Sequence, residues 1–144
     1  MPLEIDATVA ARLRRSGERY TGNRRALVEI LAREGQPMSI PEILAAERAL
    51  AQSSAYRNLS VLERAGVVRR VVASDEFTRF ELTEDLTDHH HHLICSVCGQ
   101  VEDFTLPSGI ERTMRRAVSA VSDETGYNAV SHRIDLIGRC PRCA

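Results

Sequence analysis

The chain has 144 residues, of which 43% are hydrophobic and 4% aromatic, and it contains no Trp. This length suits one domain or two small ones with an aliphatic core, and no apolar run approaches the roughly 18 residues that cross a membrane. The N-terminal sequence MPLEIDATVAARLRR has no apolar signal region. We therefore expect a cytoplasmic protein with no membrane partner.

The net charge of −1 conceals an uneven distribution. Residues 1–74 carry 12 Arg against 8 acidic residues, a net of +4, whereas residues 75–144 carry 7 Arg against 12, a net of −5. Such an asymmetry indicates that the N-terminal half binds nucleic acid and that the other half has a different task. The simpler interpretation is a solvated surface with unevenly placed charges.

The first fifty residues predict three helices. The first covers Ile5–Gly17, where apolar residues recur every four positions. The second follows Thr21 or Asn23, either of which can cap its start, and it ends before Gly35. The third begins at Ser39 with the capping-box sequence SIPE.

The next stretch predicts a fourth helix and a β-hairpin. The helix lies in QSSAYRNLSVLERAGVV, with Ser53 or Ser54 as its cap and Gly66 after its end. The β-rich runs VVRRVVA and FTRFEL follow, joined by the polar turn SDE. Helices followed by a hairpin are the order of a winged helix, whose last helix enters the DNA major groove.

The remaining sequence predicts a small α/β unit after an acidic hinge, TEDLTD. HHLIC and VEDFTL are predicted strands, SGIERTMRRAVSAVSDETG is an amphipathic helix, and YNAVSHRIDLIGRC alternates like a long strand. The apolar face of the helix consists of Ile110, Met114, Ala117, Val118 and Val121. A unit of about 55 residues is small enough to need a staple.

All the cysteines of the chain occur in two CxxC pairs: Cys95, Cys98, Cys140 and Cys143. In a reducing compartment, such pairs more often bind metal than form disulfides. Together they predict a tetrahedral four-thiolate site for a structural Zn²⁺. The alternative is a redox role, which is weaker because both pairs would have to be redox-active independently.

Four consecutive histidines precede the first CxxC pair. Side chains alternate along a strand, so His89 and His91 face one way. His90 and His92 then face the other way, which predicts two half-sites rather than one. The partners available elsewhere in the chain are His132, Glu111, Glu81 and Asp103. Imidazole with carboxylate suits Zn²⁺, Fe²⁺ or Mn²⁺, although a histidine such as the one at 132 would, alone, be interpreted as an ordinary strand residue.

At this point the motifs resemble those of a known family. HHHHLICSVCGQVEDF resembles the signature of the ferric uptake regulator (Fur) family of bacterial metal-responsive transcription factors. SSAYRNLSVLERAGVV resembles its recognition helix, RYTGNRRALVEIL resembles an earlier helix, and CPRC its terminal cysteine pair. The resemblance extends from about residue 10 to residue 143 and rests on several motifs in the same order.

The resemblance implies an α+β fold: an N-terminal winged helix-turn-helix DNA-binding domain and a C-terminal α/β dimerisation domain with a four-cysteine zinc site. The corresponding ranges are 1–82, a hinge at 83–88, and 89–144. It implies a regulator rather than an enzyme. Such a regulator, typically a repressor, binds an AT-rich palindromic double-stranded DNA operator as a homodimer when a divalent metal occupies the hinge site.

Residue roles follow by position from the same resemblance. The implied regulatory hinge site consists of Glu81, His90, His92 and Asp103. The implied site within the dimerisation domain consists of His89, His91, Glu111 and His132. The implied DNA contacts are Arg19, Arg24, Tyr56 and Arg57. The resemblance thus assigns three metal sites to each protomer, counting the zinc.

The chain departs from the family pattern before the third helix, where many relatives place a further hinge histidine and this chain has GQPMS. Its hinge is also two residues longer than in some relatives, and it has no fifth Cys. Three alternatives stay open: a DNA-binding protein whose metals are purely structural, a peroxide-sensing member of the family, and a metal-dependent hydrolase. The sequence contains no substrate-pocket motif for the last.

Overall fold

The computed structural model describes residues 3–73, 75, 77–129 and 131–144. The α-helices are α1 Leu3–Arg15, α2 Gly22–Glu34, α3 Ile40–Ala46, α4 Gln52–Arg64 and α5 Ser108–Thr125, and a 3-10 turn covers Glu84–Leu86. The strands are β1 Met38–Ser39, β2 Val68–Val72, β3 Thr78–Leu82, β4 His91–Cys95, β5 Val101–Phe104 and β6 Asp135–Gly138. This confirms the predicted α+β class. Among the described residues, every helix is too short or too polar to cross a membrane.

Local signals fix the ends of the early helices as predicted. The Thr21 side chain accepts a hydrogen bond from the Arg24 backbone N–H at the start of α2. Gly35 ends that helix in the left-handed region at φ 65°, which glycine adopts without strain. At α3, the Ser39 hydroxyl accepts from the Glu42 backbone N–H and also bonds the Glu42 carboxylate.

The predicted cap of α4 was wrong. The helix begins at Gln52, with Ala51 in the cap position and no side-chain hydrogen bond. The hydroxyl of Ser54 instead accepts from the side-chain amides of Asn23 and Asn58, at 3.2 Å each. The serine therefore joins α2 to α4 rather than capping its own helix, a tertiary contact that a local sequence pattern does not contain.

The first region packs α1 to α4 against a three-stranded sheet in the order β1-β3-β2, in which both pairings are antiparallel. Its core is aliphatic, and its fully buried side chains include Val9, Leu13, Leu27, Val28, Ile43, Leu59, Leu62 and Val67. Four helices followed by the β2–β3 hairpin have the order of a winged helix. Within the predicted SDE turn only Asp75 is described, and the other two residues lie outside the described part.

The second region contains a three-stranded sheet in the order β5-β4-β6, with β4 antiparallel to β5 and parallel to β6. The long strand predicted to run up to Cys140 was too long, since β6 covers only Asp135–Gly138 and residue 130 is not described. The paired register with β4 runs only from His92–Asp135 to Cys95–Gly138, and before it the Ile134 carbonyl accepts one hydrogen bond from the His92 backbone N–H.

The two regions touch each other beside the hinge. Val71 of β2, which is fully buried, packs with Ala73 against Ile94 and Val101 of the second sheet. Gly99, at φ 75°, lies so close to the wing that a Cβ at this position would collide with the Asp75 side chain. The predicted loop-like hinge itself contains the 3-10 turn, so it is a structured connection.

Candidate metal centres and nucleic-acid interface

The cysteines converge from the two ends of the second region. Cys95 ends β4 and Cys98 lies in the turn before β5, whereas Cys140 and Cys143 lie in the segment after β6. The four sulfurs lie within 4.8 Å of one another, and the Sγ atoms of Cys98 and Cys140 are 3.8 Å apart. Four thiolates at the roughly 2.3 Å bond length of zinc would have sulfurs about 3.8 Å apart, so this spacing fits a tetrahedral Zn²⁺.

The pKa shifts of these thiols are also consistent with a site that binds a cation. Backbone N–H groups of Cys140 and Cys98 donate to the Cys95 sulfur and lower the pKa of Cys95 to about 6. The hydrogen bond with Cys140 raises the pKa of Cys143 to about 12. Four sulfurs this close cannot all ionise unless a positive charge lies between them, and the donor set is the one that structural zinc prefers.

A second cluster lies at the junction of the two regions and consists of Glu81, His90, His92 and Asp103. The Glu81 Oε2 atom lies 2.9 Å from His90 Nε2 and 3.1 Å from His92 Nε2. Asp103 is opposite His92 in the β4–β5 register, and its carboxylate oxygens lie 3.7 Å from both imidazole Nε2 atoms. Strand pairing therefore gathers this donor set around one point.

The electrostatics of this junction cluster favour a bound cation. Burial raises the pKa of Glu81, but hydrogen bonds with His92 and His90 outweigh burial and lower that pKa to about 2. Burial raises the pKa of Asp103 above its usual range. The buried Oδ1 atom of Asp103 has no hydrogen-bond partner among the described residues. A divalent metal would satisfy this oxygen, and carboxylate with imidazole suits Zn²⁺, Fe²⁺ or Mn²⁺.

A third cluster lies on the opposite side of β4 and consists of His89, His91, Glu111 and His132. The Glu111 carboxylate, in the first turn of α5, is its centre. One oxygen lies 2.6 Å from His91 Nε2, and the other lies 3.1 Å from both His89 Nε2 and His132 Nε2. Three imidazole nitrogens facing one carboxylate also form a donor set for a divalent transition metal.

Sequence reasoning missed the groups that orient these imidazoles. The Nδ1 atom of His90 bonds the Asp88 carbonyl at 2.8 Å, and Nδ1 of His89 contacts the Glu84 carboxylate. In each ring the other nitrogen, Nε2, faces the cluster, which is the arrangement that prepares an imidazole for a metal. Arg69 also bonds Glu81 at 2.7 Å. The only available signal was the acidic hinge, because cross-strand pairing cannot be deduced from spacing alone.

The predicted DNA-contact residues lie in and before α4. Tyr56 is 57% exposed, and Arg57 and Arg19 are also exposed. Arg24 is different, because its guanidinium bonds the Asn58 side chain at 2.9 Å and the Arg19 carbonyl at 2.7 Å. Arg24 therefore supports α4 from within the protein, and its contact with DNA stays a prediction, as do the other three.

Fold and clusters together define a class: a winged helix of the DNA-binding type joined to a small unit rich in metal-ligating side chains. The chain belongs to the ferric uptake regulator family, whose sequence profile matches residues 15–137. Members of this family are metal-responsive transcriptional regulators and not enzymes. The match covers both regions and all the clusters except the terminal cysteine pair.

Individual relatives agree along nearly the whole chain. The peroxide-responsive repressor PerR of Staphylococcus aureus is 28% identical over 146 residues, covering 97% of this chain and 91% of the relative. The Fur structure of Helicobacter pylori, described as having three functional metal-binding sites, is 26% identical, with a TM-score of 0.75 over 97% of this chain and 91% of its own. The Pseudomonas aeruginosa Fur structure with manganese is 25% identical, with a TM-score of 0.69 over 91% and 96%.

Proposed function

We propose that this protein is a metal-dependent transcriptional regulator, acting typically as a repressor. It binds an AT-rich palindromic double-stranded operator as a homodimer when Fe²⁺, Mn²⁺ or Zn²⁺ occupies the junction cluster. One observation carries the proposal: Glu81 belongs to β3 of the winged helix, yet its Oε2 atom lies within 3.1 Å of both His90 and His92. A cation held there would join the two regions.

The switch follows from differential binding. Without Glu81 nearby, a metal at His90, His92 and Asp103 would lose one of its anionic ligands. The metal therefore binds more tightly when the winged helix is docked than when it is free, and it shifts the population toward the docked form. In a dimer, docking sets the spacing of two α4 helices, which must match successive turns of the major groove.

The proposed metal set comprises one structural ion, one regulatory ion and a further ion in the dimerisation domain. Zn²⁺ at Cys95, Cys98, Cys140 and Cys143 supports the fold, and a second divalent metal at the junction regulates. The cluster centred on Glu111 is proposed as a further site within the dimerisation domain. The H. pylori Fur structure is described as having three functional metal-binding sites, and this supports the same number here.

The homodimer is supported by an apolar surface on the second region. Ile110 and Val121 of α5 are 50% and 56% exposed, and Leu136 and Ile137 of β6 are 51% and 71% exposed. Exposed apolar surface on both elements of so small a unit is typical of a protein interface. A second copy of the chain, related by two-fold symmetry, would cover it. The proposed division is 1–82 for DNA binding, 83–88 for the hinge and 89–144 for dimerisation.

In the proposed complex, α4 supplies the sequence-reading contacts. Tyr56 would meet base edges such as a thymine methyl, and Arg57 would meet phosphate or base edges. Arg19 would reach the minor groove and Arg24 would meet a phosphate, with Arg24 acting chiefly by holding α4 in place through Asn58. Arg57→Ala should weaken DNA binding, and the loss of affinity relative to the unmodified protein should shrink as salt concentration rises.

The decisive experiment measures metal content per protomer by elemental mass spectrometry, on protein purified without oxygen, before and after mild chelation. DNA binding is assayed on the same samples. One retained zinc plus one or two exchangeable metals, whose loss abolishes DNA binding, is the expected result. One zinc, nothing exchangeable and unchanged DNA binding would overturn the proposal and leave a regulator with purely structural metals.

A single variant separates regulation from folding. His90→Ala removes one junction ligand and should leave a folded dimer with its zinc, while metal-dependent DNA binding falls about tenfold or more. Arg64→Ala is the matched control, since this exposed side chain lies at the end of α4 and away from the cluster. Unchanged metal dependence in His90→Ala would mean that the regulatory metal binds elsewhere.

Peroxide sensing is a second candidate, favoured by the likeness to PerR of S. aureus. The test loads the protein with Fe²⁺ or Mn²⁺ and adds hydrogen peroxide. Loss of DNA binding in the iron form alone, with added oxygen on a junction histidine by peptide mass spectrometry, would establish it. Equal resistance of both forms would exclude it.

A further inference from the structure

We propose that the hinge residues Glu84 and Asp85 couple the cluster at His89, His91, Glu111 and His132 to the recognition helix, through Arg12 of α1. Glu84 acts as a positioning residue for His89, and Asp85 passes the restraint to the winged helix. This rests on the proposed function, because it assumes that the cluster binds a metal. It adds a route that is separate from Glu81 and the junction cluster.

The first step concerns His89, whose two ring nitrogens have different partners. Nε2 lies 3.1 Å from Glu111 and faces the cluster, whereas Nδ1 contacts the Glu84 carboxylate. Nδ1–H donating to Glu84 leaves the Nε2 lone pair free for a metal. A metal on Nε2 would make the ring more acidic and strengthen its hydrogen bond to the carboxylate. Metal binding would therefore hold Glu84 in place.

The second step is the 3-10 turn that carries Glu84 and Asp85 side by side. The backbone N–H of Leu86 donates to the Thr83 carbonyl at 2.9 Å, and that of Thr87 donates to the Glu84 carbonyl at 3.1 Å. These bonds make the turn a short rigid unit. A restraint on Glu84 is therefore also a restraint on Asp85, which points to a different neighbour.

The third step joins Asp85 to the winged helix. Arg12, whose side chain is 17% exposed, forms an ion pair with Asp85 and donates to the Gly66 carbonyl at 2.7 Å. This ion pair holds the pKa of Asp85 below its usual range. Gly66, at φ 77°, lies just beyond Ala65, the residue that caps the end of α4, and the Thr83 hydroxyl also donates to its carbonyl, at 3.1 Å. One guanidinium thus holds the end of the recognition helix and the hinge together.

The coupling is reciprocal, which makes it measurable from either end. If a metal at the cluster strengthens the Arg12 contacts, then those contacts must strengthen metal binding by the same coupling free energy. Removing the Arg12 contacts should therefore weaken metal binding. Arg12 belongs to none of the clusters, so a purely structural role for it predicts no change in metal affinity. Metal affinity is therefore the readout that distinguishes coupling from simple support of the fold.

The experiment uses the full-length, zinc-loaded protein carrying His90→Ala, so that Co²⁺ reports on the cluster at Glu111 through its visible absorption spectrum. Glu84→Ala should weaken Co²⁺ binding by about 10–100-fold. Arg12→Gln and Asp85→Asn should each weaken it by about fivefold or more. Arg12→Lys, which keeps the charge and a donor, should restore most of the affinity.

The matched controls are Arg14→Gln, an exposed arginine on the same helix, and Glu124→Gln, an exposed carboxylate on α5. Both should bind Co²⁺ like the parent. Parental affinity in Arg12→Gln and Asp85→Asn would overturn the coupling, and parental affinity in Glu84→Ala would overturn the positioning role. If the parent itself binds no Co²⁺, the dimerisation-domain metal site of the proposed function fails, and the inference fails with it.

Discussion

The regions before and after residue 83 are stabilised by different forces. The first has a continuous aliphatic core in which Leu13, Leu27, Leu59 and Leu62 are fully buried. In the described part of the second, the buried apolar side chains are Ile94, Cys95 and Val101. Its other buried side chains are the polar His91, His92 and Glu111. The first region thus resembles an ordinary small domain, and the second does not.

The first region is therefore stable without a ligand, whereas the stability of the second region is conditional on what binds to it. Burial of aliphatic surface stabilises the winged helix by about 25 cal/mol per Å² without any ligand. Buried imidazoles and carboxylates cost free energy unless partners neutralise them, and the exposed apolar side chains of α5 and β6 add no stability until they are covered. We therefore infer that the second region depends on metal and on a second copy of the chain.

Loss of the zinc should destabilise the second region far more than the first. Cys95→Ser should abolish zinc binding and the dimer, because a structural zinc contributes about 10 kcal/mol of folding free energy. The α1–α4 region should keep its helical circular dichroism signal. Elemental analysis, size-exclusion chromatography and far-ultraviolet spectra of one sample measure all three properties. Val97→Ser, an exposed position in the same turn, is the control, and a stable zinc-free dimer of Cys95→Ser would contradict the prediction.

A cavity in the first core should have the converse effect. Leu59→Ala removes a fully buried side chain and should destabilise the winged helix by about 3 kcal/mol in urea denaturation, with zinc content unchanged. Tyr56→Ala lies on the exposed face of the same helix and should leave stability within about 0.5 kcal/mol. Loss of zinc from Leu59→Ala would show that the two regions do not have separate sources of stability.

The exposed apolar side chains of the second region provide a third test. Ile137→Glu should raise the dimer dissociation constant about tenfold or more, since two-fold symmetry places the change twice in the interface. Val72→Glu is matched, because Val72 is 75% exposed on a strand of the first region. Sedimentation velocity measures the dimer dissociation constant of both variants. A dimer of unchanged affinity in Ile137→Glu would mean that the two copies meet through another surface.

The sequence predicted the first region well because its signals are local. The caps at Thr21 and Ser39, the glycine after α2 and the periodic apolar residues each act within one helix, so spacing was sufficient to identify them. The start of α4 was wrong because Ser54 bonds across to α2. Patterns within a helix cannot show that a neighbouring helix will claim a side chain.

The clusters could be grouped from the sequence because strand alternation separates the even histidines from the odd ones. Their surroundings could not, since Glu84, Arg69 and Asp135 meet the clusters through tertiary contacts with no fixed spacing. The length of β6 was overestimated because an alternating pattern does not show where its partner strand begins. The sequence therefore predicted which residues form each cluster, but it did not predict the contacts that orient their side chains.

The smallest expected effect concerns a single cap in the first region. Ser39→Ala removes the hydroxyl that accepts from the Glu42 backbone N–H at the start of α3. The free energy of unfolding, measured by urea denaturation, should fall by about 1 kcal/mol, with zinc content and dimer affinity unchanged. Ser60→Ala is the matched control, because that hydroxyl only bonds the Tyr56 carbonyl within α4, and alanine favours the helix.

The two serine substitutions should change stability in different directions. Both substitutions remove one hydroxyl from the winged helix, but only Ser39 satisfies a backbone donor that α3 leaves unpaired at its start. Ser39→Ala should therefore destabilise the protein, and Ser60→Ala should be neutral or stabilising. Equal losses of stability would mean that the cap at Ser39 does not stabilise the first region. The zinc-independent stability of that region would then come from its core alone.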